Sequence, residues 1–227
     1  MKLPKGFYKE VVEAKATLNA TDFNEIPLKK RISTTPLNSG GASFKTHILI
    51  KKSNSKLVYK PSVGIALFCF IFLVVGLTVL FFGSYTFMTT ENKYEDFPIW
   101  FVIIFGGIFT FAGSFMFYYN YKPRVFDKQL GMYYKAYKVS LHKTTISKFN
   151  SQISLKSIIA IQIIGETITS DDSSYNSFEL NLVTVKGKRF NVVDHGNLKS
   201  ILNDAKMLSD FLNVPIWHAQ SHKNNNY

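Results

Sequence analysis

The chain of 227 residues has one cysteine, Cys69, and only 15 acidic residues against 27 basic ones. A lone thiol excludes an intramolecular disulfide, a CxxC redox pair and a cysteine-ligated zinc cluster, so Cys69 reads as a small apolar filler. No GxxxxGK[ST], no GxGxxG after a strand, no HExxH and no GxSxG occurs. No cofactor and no metal is therefore expected. Nor is there a basic segment, short apolar stretch and cleavage site at the start, where Lys5, Lys9, Glu10, Glu13 and Lys15 break any apolar run. The expectation is a chain without a removable signal, targeted by its first long apolar segment. The most informative absence is of charge: residues 61–90, thirty in a row, and 97–121, another twenty-five, hold no Asp, Glu, Lys or Arg. That pattern excludes a purely soluble protein, and 21 Phe with 12 Tyr exclude disorder throughout.

What stands in those runs is long enough to cross a bilayer. About 20 apolar residues span a hydrocarbon core of roughly 30 Å as a helix, which satisfies its own backbone hydrogen bonds. Residues 65–87 and 98–119 qualify, and with their flanks they define transmembrane segments over 63–88 and 98–121. The link at 89–97 permits only a tight turn, giving an antiparallel hairpin. Lys45, Lys51, Lys52, Lys56 and Lys60 precede the first span and Lys122, Arg124 and Lys128 follow the second, whereas the turn sets Lys93 against Glu91, Glu95 and Asp96. Basic flanks stay cytoplasmic, so both termini are expected in the cytoplasm of a bacterium, with the protein multi-pass in its inner membrane. Tyr59, Trp100, Tyr118, Tyr119 and Tyr121 suit the headgroup level. The spans hold no ionisable group other than Tyr and Cys, which argues against an ion-coupled carrier or proton relay. Gly76 and Gly83, like Gly106 and Gly113 with Thr110 between, line up small residues on one helix face. They fit either packing within the hairpin or a homo-oligomer contact.

The aqueous parts read as β-rich. Residues 43–60 suggest a strand, a Ser-Asn-Ser turn and a second strand, with Phe44, Ile48, Ile50, Leu57 and Tyr59 inward. An isolated hairpin is marginal, so this one is expected to complete the sheet of a domain at 122–217. There, a hairpin turns at Lys128–Gly131, and strands follow over 159–168, 177–185 and 188–194, the last two joined by Lys186-Gly187. Phe178, Leu180 and Leu182 alternate with polar residues, but Val183 and Val185 reverse the phase, implying cover on both faces or a bulge. The loop 169–177 reads as mobile. Leu198, Ile201, Leu202, Ala205, Leu208, Phe211 and Leu212 recur at helical spacing, with Asn197 as N-cap and Pro215 forbidding continuation. Residues 1–42 read as a partly ordered basic arm with a short helix at 8–18, and 218–227 as a disordered tail.

Residues 1–60 carry net +8, the turn −2 and 122–227 net +6. Such a surface beside a bilayer attracts anionic headgroups, about 1 kcal/mol for each adjacent cation, and Lys51, Lys52, Lys56, Lys60, Lys122 and Arg124 are the expected contacts. Nucleic acid is not expected, since only the short Lys29-Lys30-Arg31 run favours it and no nucleic-acid-binding motif accompanies it. The one conspicuous polar constellation is Asp194-His195-Gly196-Asn197. Catalytically, Asp194 would orient His195 as a general base. Structurally, Gly196 would take a positive φ and Asn197 would cap the helix, the reading favoured here because no nucleophile is evident.

GGASFKTHILI, KLVYKPSVG before the first span, FELNLVTVKGKRFNVVDHGN and the terminal FLNVPIW together resemble, over about residues 40–217, an uncharacterised family of bacterial two-span membrane proteins. More distantly, strands closed by one amphipathic helix beside a membrane hairpin are similar to bacterial pleckstrin-homology-like (PH-like) membrane domains. The resemblance implies an α+β membrane protein, a two-helix transmembrane hairpin plus a mainly antiparallel PH-like domain with a C-terminal amphipathic helix. It further implies a non-enzymatic scaffold or regulator with a protein partner. An immunity protein against a membrane-acting toxin, and a membrane enzyme using Asp194 and His195, are the alternatives.

Overall fold

The computed structural model describes residues 32–89, 99–137, 152–170 and 173–220. The expected arm helix at 8–18, Lys29-Lys30-Arg31, nearly all of the turn at 89–97, and the tail beyond Gln220 lie outside them. The fold is α+β, and the chain divides into two compact units, Lys60–Lys122 and the segments on either side of it.

Within Lys60–Lys122 the two charge-free runs form helices α1 (Val63–Thr89) and α2 (Ile99–Asn120), each long and apolar enough to cross a membrane. They pack antiparallel through their small residues. A Cβ at Gly76 would overlap Thr110, one at Gly83 would overlap Val102, one at Gly106 would lie 2.7 Å from Leu80 Cγ, and one at Gly113 2.6 Å from the Leu73 amide. The glycines singled out in the sequence therefore meet across the hairpin, letting the backbones close to van der Waals contact. Away from this seam Leu67, Phe70, Phe81, Phe82, Ile103, Ile108, Phe111 and Phe115 are exposed.

The other unit contains two sheets. One comprises β1 (His47–Ser53), β2 (Lys56–Pro61), β3 (Arg124–Asp127), β4 (Met132–Lys135) and β5 (Gln152–Ser154), in that spatial order. The other runs β8 (Arg189–His195), β7 (Ser174–Thr184), β6 (Ile158–Thr169), β9 (Ile216–Gln220). β2 pairs antiparallel with β3, from Lys56 opposite Asp127 to Tyr59 opposite Arg124, so strands flanking the helical insertion are direct neighbours. The β3–β4 turn is held by Asp127 Oδ1, which accepts from the Gln129 and Leu130 amides at 2.9 and 3.1 Å, and Gly131 supplies the positive φ of 66°. Leu57, Tyr59, Phe126, Tyr133 and Ile153 from the first sheet share one core with Ile161, Ile163, Phe178, Leu180, Leu182 and Val193 from the second. Helix α3 (Leu198–Leu212) adds Ile201, Ala205 and Leu208 to that core. Asn197 caps α3, its Oδ1 accepting from Ser200 N at 2.9 Å, and Asn213 ends it in the left-handed region at φ 55°.

Four local expectations change. β1 presents His47 and Leu49 inward, not Ile48 and Ile50, and Phe44 is exposed; an apolar Ile-Leu-Ile run fits either phase, so its neighbours decide the register. β7 begins at Ser174, extending the β6–β7 ladder to Thr169 opposite Ser174 into the segment read as a loop. The chain after Pro215 does not leave the fold: β9 adds to β6 in parallel from Ile216 to Gln220, with Trp217 buried, so residues 218–220 are strand and not tail. Gly196 is not among the glycines with positive φ. It is required by crowding, since a Cβ there would overlap the carbonyl of Ser43, whose neighbour Phe44 accepts from Gly196 N at 3.0 Å.

Gly196→Ala is accordingly expected to lower stability by about 1–3 kcal/mol, the range for forcing an extra group into a packed site, read as a fall in Tm. An unchanged Tm would contradict the close approach of residue 43 to β8.

Candidate functional site

A bulge in β8 decides what the Asp194-His195-Gly196-Asn197 turn can do. Asn191 lies opposite Asn181 while Val193 lies opposite Leu180, so Val192 is an extra residue and every side chain beyond it changes face. Asp194 stands opposite Glu179 and His195 opposite Phe178. Successive strand residues point to opposite faces, which sends Asp194 outward and His195 into the core. Asp194 Oδ1 accepts from Asn191 Nδ2 at 2.9 Å. His195 Nδ1 accepts the Thr46 amide proton at 3.3 Å, leaving the ring proton on Nε2, 3.4 Å from Asp204 Oδ2 of α3. Thr46 Oγ1 also donates to the Asp194 carbonyl at 2.7 Å. The Asp194–His195 dyad of the catalytic reading is thus not formed. His195 is fully buried, and its carboxylate partner is Asp204.

Asp204 was not among the residues singled out in the sequence, yet it carries a signal, being an acidic side chain inside the stripe from Ile201 to Leu208. Beside this pair lie Tyr59, Arg124 and Tyr133, all buried. Burial, and then the charge of Asp204, pushes the Tyr59 phenol well above its usual range, while burial takes Tyr133 up to about 12 against the opposing pull of Arg124. The Tyr59 phenol faces the Asp204 carboxylate, and the Tyr133 phenol oxygen has no hydrogen-bond partner among the described residues. These buried groups come from β2, β3, β4, β8 and α3.

The expected headgroup contacts divide. Lys51, Lys52 and Lys60 are exposed, and Lys122 is half-buried. Lys56 is committed to Asp127, Nζ to Oδ2 at 2.9 Å, which raises the lysine pKa; burial pushes the carboxylate up, but Lys56 and the turn amides hold it below its usual value. Arg124 is buried beside Tyr59 and is not a surface contact, because β3 is covered along its whole length.

The outward face of β6, β7 and β8 holds the second polar group: Gln162, Glu179, Asn181, Arg189, Asn191 and Asp194. Residues 32–41 lie across it. Glu179 is only 4% exposed and accepts from the Leu37 amide at 3.0 and 2.8 Å through its two oxygens and from the Asn38 amide at 2.9 Å. Gln162 Nε2 donates to Ser33 O at 3.0 Å, and Arg189 Nη1 to Thr35 O at 2.7 Å. Ile32 packs with Ala160, Val183 and Trp217 at one end, and Gly41 lies against Ser177 at the other. Burial lowers the Arg189 guanidinium and Glu179 opposes it. At a separate edge, an open cavity of about 260 Å³ between β5 and the β7–β8 turn is lined by Ser154, Ser157, Lys186 and Lys188 among others. The Ser157 hydroxyl there is engaged with the Ser154 carbonyl at 2.7 Å. No group of three or more His, Cys, Asp or Glu arranged for a metal occurs among the described residues. His142, His222 and the Asp171-Asp172 pair lie outside them.

Burial raises the Asp194 carboxyl from 3.8 to about 6, with Asn191 opposing and Glu179 adding to the rise. Because the folded value is the higher one, the folded chain holds the extra proton, and stability is lost as pH rises from about 4 through 6. A shift of that size corresponds to about 3 kcal/mol at neutral pH. Asp194→Asn, which keeps an oxygen for Asn191, should therefore raise Tm at pH 7.5 and flatten its dependence on pH between 4 and 7. A lower Tm at pH 7.5 would show that the Asp194 charge is stabilising. His195→Ala should cost about 1–3 kcal/mol, read as a fall in Tm, by taking the Nε2 donor from the buried Asp204 carboxylate.

Comparison with protein families, with curated proteins and with solved structures finds no match to this chain.

Proposed function

We propose that this is a membrane-anchored, non-enzymatic scaffold or regulator of a bacterial inner membrane. In this reading α1 and α2 cross the bilayer as a hairpin, both termini are cytoplasmic, and the β unit is a PH-like domain that binds a protein partner at the inner leaflet. The observation that carries it is the surface of the helices: they bury a seam of Gly76, Gly83, Gly106, Gly113 and Thr110 against each other and leave their Phe, Leu, Ile and Val uncovered. Covering each such side chain is worth roughly 1.5–3 kcal/mol, so a dozen of them left in water would outweigh the stability of an ordinary domain. Hydrocarbon covers them without any further protein. Two mainly antiparallel sheets sharing a core closed by a C-terminal helix support the PH-like assignment, with β9 and the helical insertion as additions. Exposed Lys51, Lys52 and Lys60 favour apposition to anionic headgroups. The full burial of His195 counts against an enzyme that uses Asp194 and His195.

In cells, alkaline carbonate should leave the protein in the membrane pellet. In a Cys69→Ala background, a cysteine at Glu91 should react with an impermeant maleimide from outside the inner membrane, whereas one at Tyr227 reacts only after lysis. Release by carbonate, or equal labelling of both sites in intact cells, would refute the hairpin topology.

A further inference from the structure

Residues 32–41 are held on the outward sheet face in an unusual way: the hydrogen bonds from the face to this strap go to its main chain. Glu179 takes two successive amides, Leu37 and Asn38, while Gln162 and Arg189 give to the carbonyls of Ser33 and Thr35. The Ser33 and Thr35 hydroxyls bond each other at 2.7 Å rather than the face, and Leu37 is 42% exposed. Ile32 is the strap's one buried side chain among residues 32–41. Recognition of this kind reads the shape of a main chain rather than a particular sequence, and the shape is bent: successive amides of an extended strand point to opposite sides, whereas Leu37 and Asn38 both turn theirs to Glu179.

The strap also leaves the face incompletely satisfied. Asn181 Oδ1 and Trp217 Nε1, on residues 0% and 3% exposed, have no hydrogen-bond partner among the described residues, and both lie on the strap side of the sheet. A buried acceptor and a buried donor left unmatched each carry a penalty while the strap covers them, and water relieves it when the strap lifts, which favours exchange of the strap. We propose that this face is a docking site for a peptide segment of a partner protein that takes up the same bent main-chain shape, with the chain's own residues 32–41 as its resident, exchangeable occupant. The fitting segment presents two successive amides to Glu179, carbonyls to Gln162 and Arg189, and an aliphatic side chain beside Trp217. This site does not depend on the membrane reading, since every group named belongs to the β unit.

The test uses the full chain in detergent and, as probe, a fluorescent peptide of sequence ISTTPLNSGG, the strap itself. Leu37→Pro removes one amide from the resident strap without touching the face. Hydrogen exchange should then quicken at least tenfold at Asn38 while β6 and α3 amides stay unchanged, and the peptide should bind at least tenfold more tightly than to wild type. Adding Glu179→Gln should cost most of that gain, and the peptide with proline at both positions corresponding to Leu37 and Asn38 should not bind. No saturable binding to the Leu37→Pro chain, or binding insensitive to Glu179→Gln, would overturn the proposal. So would dimerisation of the Leu37→Pro chain without peptide binding, which would assign the face to the strap of a second copy. If Leu37→Pro perturbs the fold, seen as faster exchange in β6, Asn38→Pro serves the same comparison.

Discussion

β2 and β3 are sheet neighbours although the whole helical hairpin separates them in sequence, and their antiparallel pairing constrains almost everything else. Tyr59 and Arg124 meet across that pair, so the last residues before the insertion and the first after it are locked a few ångströms apart. A hairpin of two helices returns the chain to where it left, which a single span could not do. The first sheet therefore cannot form from either flank alone: β1 and β2 come from one side, and β3, β4 and β5 from the other.

Long-range polar bonds reinforce this division of labour. On the inner side Thr46 of one flank bonds the His195 ring and the Asp194 carbonyl of the other. On the outer side Glu179, Gln162 and Arg189 reach back to residues 33–38. In each case a residue before the insertion is bonded to one far along the chain after it. The polar groups on the two faces differ in character. The inner set is enclosed by strands and a helix, while the outer set is covered by a single strap with little apolar burial.

Where the chemistry of a segment was one-sided, it was legible. Charge-free runs longer than any ordinary buried helix mark α1 and α2, the 3- and 4-residue spacing from Leu198 to Leu212 marks α3, and Asn197 marks its start. Alternation of Phe178, Leu180 and Leu182 marks β7, and the reversal at Val183 reflects cover on both faces, by the inner core and by Ile32, Ala160 and Trp217. What was not legible depended on tertiary neighbours. The Ile48-Leu49-Ile50 run fits either register. The bulge at Val192 leaves no compositional mark, yet it sends Asp194 and His195 to opposite faces and so decides the fate of the dyad. Glu179 reads as a solvent-facing charge in an alternating strand until the amides of Leu37 and Asn38, 141 residues or more away in sequence, are seen to cover it. Arg124 reads as a headgroup anchor because it follows a span, but its strand is buried on both faces.

The pairing across the insertion is most directly tested by removing what it spans. The β2–β3 register runs to Tyr59 opposite Arg124, so replacing residues 60–123 with Asn-Gly would turn the two strands into an ordinary two-residue hairpin. The account predicts a protein that is monodisperse without detergent, unfolds in one cooperative transition and retains slow hydrogen exchange at Leu57 and Phe126. Aggregation, or a chain with no cooperative unfolding, would show that the helices are part of the β unit's own core and would contradict it.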